Sequence, residues 1–278
     1  MAQQINRDSI RDLPEPEYLS LLEEEAFEIE GVPTRCFRLV VPNDDEKLDA
    51  WALHLRRHYI RDDELMQECA NTCLDPAQYL QEYSVPSKDT CLGSSCRSGD
   101  FGEIVISDIL QFLEGYDVPR YKQWRRVDKD QSGPGTDVIA YRIDRTSKTP
   151  NPNDELHAIE VKTGATKQDL LALVRNAAAT SKNEPNRLPI TIAHMRRVSE
   201  DCDDLQTYED AMRFACKTTK PYQTKFEVAA VDSTRELSAM PKNIEAGDVG
   251  ITNQSGVYLV HRADLMSAIH ELYSRCLR

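Results

Sequence analysis

The stretch ELHAIEVKTG, Glu155 to Gly164, decides how this chain is read. Its apolar and β-branched residues predict a strand. Strand alternation puts Leu156, Ala158, Glu160 and Lys162 on one face, and His157, Ile159, Val161 and Thr163 on the other. A buried face does not accept unpaired charges. Glu160 and Lys162, at the C-terminal end, are therefore either a structural ion pair or part of a site that holds a metal and a phosphate.

Outward from this strand the pattern is mixed. TDVIAYRI predicts a strand that begins at Asp137, behind the turn residues GPG. SGDFGEIVISDILQFLEGY predicts a helix with Phe101, Ile104, Val105, Ile109 and Phe112 on one stripe, with Gly115 as its C-cap. VPRYKQWRRV between them is predicted as a strand. After Gly164, TKQDLLALVRNAAATS, PITIAHMRRVSEDC and TYEDAMRFACK predict helices, with PITIAH also compatible with a strand by propensity, TKFEVAAVDS and GVYLVHR predict strands, and ADLMSAIHELYSRCL a closing helix. Near the start, TRCFRLVV predicts a strand. EKLDAWALHLRRHYI predicts a helix with Leu48, Trp51, Ala52, Leu55 and Tyr59 on one face. RDDELMQECANTC predicts a second helix, and Asp75 followed by Pro76 starts a third. SVPSKDTCLGSSCRSG reads as a loop and a domain boundary. The expectation is an acidic, mainly helical N-terminal domain over 1–92, for partner docking or regulation, and an α/β domain with a mixed sheet over 93–278.

The charge follows this division. Residues 1–92 hold 9 lysines and arginines against 20 acidic residues, and the remainder 25 against 27. The net charge of −13 argues against indiscriminate nucleic-acid binding, which depends on phosphate neutralisation. A local basic patch in the near-neutral part remains compatible with it. The first 20 residues lack a signal-peptide pattern and no apolar run reaches bilayer length, so a cytoplasmic protein with no membrane association is expected. Eight cysteines in 278 residues are too sparse for a disulfide framework. Cys69, Cys73, Cys91 and Cys96 are spaced four and five apart; a zinc site is one reading, but without the short zinc-knuckle spacing they read as small buried hydrophobes. His54 and His58 lie one helical turn apart and could share a metal from one face, but with no H-E-x-x-H pattern they read as surface residues.

The chemistry concentrates on Glu103, Asp137, Glu160 and Lys162. Mg²⁺ takes hard oxygen ligands and keeps several waters. An Asp and a Glu from neighbouring strands supply a partial shell, and a lysine two residues on can orient a water and offset developing negative charge. This ordered set, GE on a helix, an Asp at a strand start, then EVK on the next strand, resembles the PD-(D/E)xK nuclease superfamily over roughly residues 93–180. Thr136 stands where proline precedes the Asp in the family pattern. The resemblance implies a restriction-endonuclease-like core with a mixed sheet flanked by helices. It implies metal binding by Asp137 and Glu160, with Mn²⁺ able to substitute for Mg²⁺, water orientation by Lys162, and Glu103 completing the catalytic site by positioning metal-bound water.

RSGDFGEI, GYDVPRY and GTDVIAY are more narrowly similar to segments of the nuclease subunits (HamA-like) of Hachiman-type bacterial antiphage systems. That likeness implies DNA cleavage, as an endonuclease or nickase, restrained by a partner helicase. The alternatives are a non-catalytic scaffold or DNA-binding subunit of the same fold, a recombination or repair nuclease, and a nuclease acting on RNA. For nucleic-acid contact, RYKQWRR offers Arg120, Lys122, Arg125 and Arg126 with interleaved aromatics, and Lys167 and Gln168 open the helix after the site. A solvated strand face is the competing reading of the first set.

Overall fold

The computed structural model describes residues 13–166, 169–215 and 219–278. Its centre is a six-stranded mixed sheet. The quoted stretch is strand β5 (Glu155–Gly164). On one side β4 (Val138–Arg142) pairs with it antiparallel, Val138 opposite Ile159. On the other side β6 (Gln223–Asp232) runs parallel, from Glu155 opposite Gln223 to Gly164 opposite Asp232. Beyond β6 come β8 (Val257–His261) and β3 (Thr34–Leu39), each parallel to its neighbour, and β1 (Leu22–Glu24), antiparallel to β3. The order is β1-β3-β8-β6-β5-β4. Two short strands, β2 (Ile29–Glu30) and β7 (Ile244–Glu245), form a separate parallel pair.

Helices cover both faces, because the central strands are apolar on both sides. On one face lie α1 (Asp45–Arg57), α4 (Cys91–Asp108) and α8 (Leu265–Arg275). Their Trp51, Leu55, Ile104, Val105, Ile269 and Leu272 meet Ile159, Val161, Ala229 and Val231. On the other face, α5 (Leu170–Ser181) packs over β5 and β6, with Val174 and Ala177 in the core that holds Val228, Ala230 and Leu259. Beside it, α6 (Glu184–Asp201) and α7 (Leu205–Phe214) put Leu188, Ile192 and Phe214 against Leu156 and Ala158. Each fully buried aliphatic side chain contributes roughly 1.5–3 kcal/mol. Ile104→Ala, at a fully enclosed position, would cost about 2–5 kcal/mol.

Residues on both sides of position 92 share this sheet and this core: Phe37, Trp51 and Leu55 pack with Ile104, Val260 and Tyr273. The N-terminal part also contains α2 (Asp62–Thr72) and α3 (Pro76–Tyr79), the latter capped by Asp75 as its sequence suggests.

Two segments differ from the sequence expectation. The loop predicted over residues 84–99 becomes helical at Cys91, where the Thr90 hydroxyl accepts a hydrogen bond from the Gly93 amide at 3.0 Å. Gly93 and Gly102 in α4 serve close packing, Gly93 against the Ser87 backbone. At Gly102, any Cβ would collide with the Thr163 hydroxyl of β5. The predicted strand VPRYKQWRRV is irregular, and the bridge to the sheet, Asp117 to Tyr141, lies just before it. Arg125 takes a left-handed backbone conformation (φ 49) that no strand accommodates. Among the described residues, no helix is long and apolar enough to cross a membrane.

Candidate functional site

Extending the β4–β5 register by one residue sets Asp137 opposite Glu160. The approach to Asp137 is built for this. Gly135 turns the chain at φ 108, a conformation favouring glycine, and the Thr136 amide donates to the Thr191 hydroxyl of α6 at 2.9 Å. One Asp137 oxygen, Oδ2, accepts from the Val161 amide at 3.0 Å. The other, Oδ1, accepts from the Lys122 ammonium at 2.6 Å.

Glu160 is fully buried and neutralised from two sides. Lys162 donates to Oε1, so the two charges of the quoted strand are bonded to each other, as their shared face requires. Arg187, from the first turns of α6, donates to Oε2 at 2.8 Å and reaches Glu184 at 3.2 Å. Burial pushes the Glu160 carboxyl upward, and the negative charge of Asp137 adds to this, against Lys162 and Arg187.

Glu103, on α4, faces the same loop. Lys122 donates to its Oε1 at 2.9 Å and the Gln123 amide to its Oε2 at 2.8 Å. Burial pushes Glu103 up to about 8, with Asp137 and Asp100 adding to the rise and Lys122 opposing it. The four predicted residues thus form two linked groups, Glu103–Lys122–Asp137 and Lys162–Glu160–Arg187. Sequence reading missed Arg187 and Gln123. Arg187 lies 27 residues from Glu160 in an unremarkable helical segment, and nothing local marks it.

The basic segment is fastened to the protein almost residue by residue. Arg120 is buried against Asp108 at 2.6 Å, and Tyr121 donates to Asp204 at 2.7 Å. Trp124 and Arg125 both donate to Glu64 of α2, at 2.7 and 2.6 Å. Arg126 forms a two-pronged pair with Asp100, at 2.8 and 2.6 Å. Of its four cations only the Arg125 side chain is largely exposed, at 61%. Lys167 and Gln168 lie outside the described residues.

His54 and His58 are buried, not on the surface as expected. Their helical face turns inward because Asp108 and Arg120 wait there. His54 Nε2 lies 3.0 Å from Asp108 Oδ2, and Tyr18 donates to the same oxygen at 2.6 Å. His58 Nδ1 bonds the His54 carbonyl at 2.9 Å, which makes Nδ1 the protonated nitrogen and leaves Nε2 to accept from Arg120 at 2.7 Å. Burial, with His54 and Arg120 adding to it, holds His58 well below the usual imidazole range. Among the described residues, His54, His58 and Asp108 are the one trio with metal-ligating atoms within 4.8 Å of one another. Cys69, Cys73, Cys91 and Cys96 form no such group there; Cys96 is buried, but Cys73 and Cys91 are exposed, not buried as expected.

The donor chemistry separates the two places. Asp137 and Glu160 offer hard oxygens on adjacent strands, which suits Mg²⁺ or Mn²⁺. The histidine trio would suit a softer ion, but Arg120 already bonds both His58 Nε2 and Asp108. A family model described as HamA matches residues 16–276, and the chain belongs to that family. No curated protein matches it.

Proposed function

We propose that this HamA-family chain is a metal-dependent DNA endonuclease or nickase of PD-(D/E)xK type. In this reading it is the effector of a Hachiman-type bacterial antiphage system and is restrained by a partner such as a helicase. The observation that carries the reading is the register that sets Asp137 opposite Glu160, with Lys162 bonded alongside, near the carboxyl end of a parallel pair of strands. Open α/β sheets commonly bind their ligands at that end.

Asp137 and Glu160 would hold Mg²⁺, with Mn²⁺ as a substitute. The ion supplies Lewis-acid polarisation of the scissile phosphodiester. Lys162 positions the attacking water and, with Arg187, offsets negative charge that develops on the phosphate. Glu103 orients Lys122 and Gln123 behind Asp137. DNA contact falls first to Arg125, whose side chain is exposed, with Lys167 and Gln168 in sequence after the strand. Arg120, Lys122 and Arg126 reach a phosphate only by leaving their present carboxylate partners. The acidic surface of residues 1–92 serves to dock the partner or to keep DNA away.

A silent scaffold of the same fold is the second reading, favoured by the ion pairs that already engage every candidate site residue. Cleavage of supercoiled and linear DNA with Mg²⁺ or Mn²⁺ separates the two. Cutting by the wild type, lost in Glu160→Ala and Lys162→Ala, supports the nuclease. Equal cutting by all three proteins would refute the assigned site, and no cutting with or without a partner helicase would favour the scaffold.

A further inference from the structure

The nuclease reading leaves an electrostatic difficulty that the structure resolves in an unexpected way. Asp137 and Glu103 are not waiting as bare carboxylates. The Lys122 ammonium bridges them, 2.6 Å from Asp137 Oδ1 and 2.9 Å from Glu103 Oε1. Asp137 Oδ2 is held by the Val161 amide, whose place the strand fixes, and Oδ1 by Lys122, whose stem can move, so Oδ1 is the oxygen that can be cleared for a metal. A divalent ion sits roughly 2.1 Å from a carboxylate oxygen, so ion and ammonium on the same Oδ1 would lie within about 5 Å of each other. Their charges repel there, in a half-buried site where screening is weak.

We propose that Lys122 is an internal counter-cation that occupies Asp137 in place of the metal, and that loading the site requires the ammonium to move off Asp137. The proposal rests on the nuclease reading and specifies how that site is kept closed. Three features support it. The segment that carries Lys122 is fixed on both sides, by Arg120 to Asp108 and by Arg126 to Asp100, so the ammonium is delivered to the carboxylates by a rigid backbone. The cation is a lysine, whose flexible stem can move while the backbone stays in place. A cavity of about 60 Å³ adjoins it, lined by Gln123, Thr136, Asp137, Thr191 and His194 among others, and offers room for that movement. Restraint is thus built into the chain itself, whatever a partner adds.

The test is calorimetric titration of Mn²⁺ into the full chain: wild type, Lys122→Gln, Lys122→Met and Asp137→Asn, each checked for folding by circular dichroism. Both Lys122 variants are expected to bind Mn²⁺ on the order of tenfold more tightly than wild type, and Asp137→Asn to lose binding. Equal or weaker binding by the Lys122 variants, with loss in Asp137→Asn, overturns the counter-cation and leaves the metal site standing. Absence of binding in every protein overturns both. Should Lys122→Met fail to fold, Lys122→Gln, which keeps an amide donor for one carboxylate, carries the comparison. In the wild type, reductive methylation of Lys122 should be slow without metal and faster with saturating Mn²⁺. An unchanged rate contradicts the proposal.

Discussion

Arg120 and Lys122 lie two residues apart on one irregular segment, and each brings a cation to a buried carboxylate. The two clusters behave differently. At Asp108, burial pushes the carboxyl up, but His54 and Arg120 together overcome it and hold the group well below the usual range. At Glu103, burial also pushes up, and the one ammonium of Lys122 does not offset it. The first cluster is saturated: Tyr18, His54 and Arg120 all converge on Asp108. The second is shared, one lysine between two carboxylates. A planar guanidinium anchored in several directions is a lock, whereas a flexible ammonium is a contact that a competing cation can displace.

The largest effect that would break this comparison is on stability. Arg120→Met leaves Asp108 without its guanidinium partner, and removing one partner of a buried pair costs about 3–5 kcal/mol. The melting temperature should fall by roughly 10 °C. Lys122→Gln should cost less, because glutamine keeps an amide donor beside the carboxylates and Gln123 still donates to Glu103. Equal losses in thermal melts would erase the distinction.

A second effect is on the pH dependence of stability, and the two clusters should pull in opposite directions. A carboxyl with a depressed folded pKa contributes stability above its unfolded value, near 4, and loses it as the pH falls through the acid range; this is Asp108. A carboxyl with a raised folded pKa contributes stability below its unfolded value and loses it as the pH rises toward the folded one. For Glu103 that window runs from 4.5 to about 8. Glu103→Gln should therefore flatten the decline in melting temperature across this window, by a few degrees at its upper end. An unchanged slope would mean that the carboxyl is not strained by its burial.

Smaller effects sharpen the picture at the surface. Arg125→Ala should change stability by less than about 1 kcal/mol, since its pair with Glu64 is exposed on the arginine side. If Arg125 meets a phosphate, the same change should weaken DNA binding and lower the salt slope by about 1, measured by fluorescence anisotropy. Cysteine reactivity should divide by burial. Cys73 and Cys91 are exposed and should alkylate in the native state. Cys36, Cys96 and Cys276, each pushed up to about 12 first of all by burial, should react only on unfolding. Mass spectrometry after brief alkylation reads the difference.

The comparison also marks how far sequence reading reaches. The strand Glu155–Gly164 has the bounds of the quoted stretch, because ten residues of consistent apolar pattern leave little freedom. The helices were legible from their stripes, and Asp137 beside Glu160 follows once two strands pair. The segment from Arg120 to Arg126 was not legible. Its composition suits a strand, but its shape is set by Glu64, Asp100, Asp108 and Asp204, carboxylates up to 83 residues away. Side-chain pairs over such distances leave no period in a sequence. For the same reason His54 and His58 looked like surface residues: helical spacing shows that they share a face, not what that face meets. The start of α4 was hidden by Gly93, Ser94 and Ser95, which read as loop residues until the close approach of the Ser87 backbone to Gly93 is known.

The most direct measurement is anomalous diffraction from crystals soaked in Mn²⁺, which locates the ion rather than inferring it. The account predicts an ion on Asp137 and Glu160, with the Lys122 ammonium moved off Asp137 and Arg120 unmoved on Asp108. An ion held by His54, His58 and Asp108 instead, or one on Asp137 with Lys122 still in contact, would contradict it.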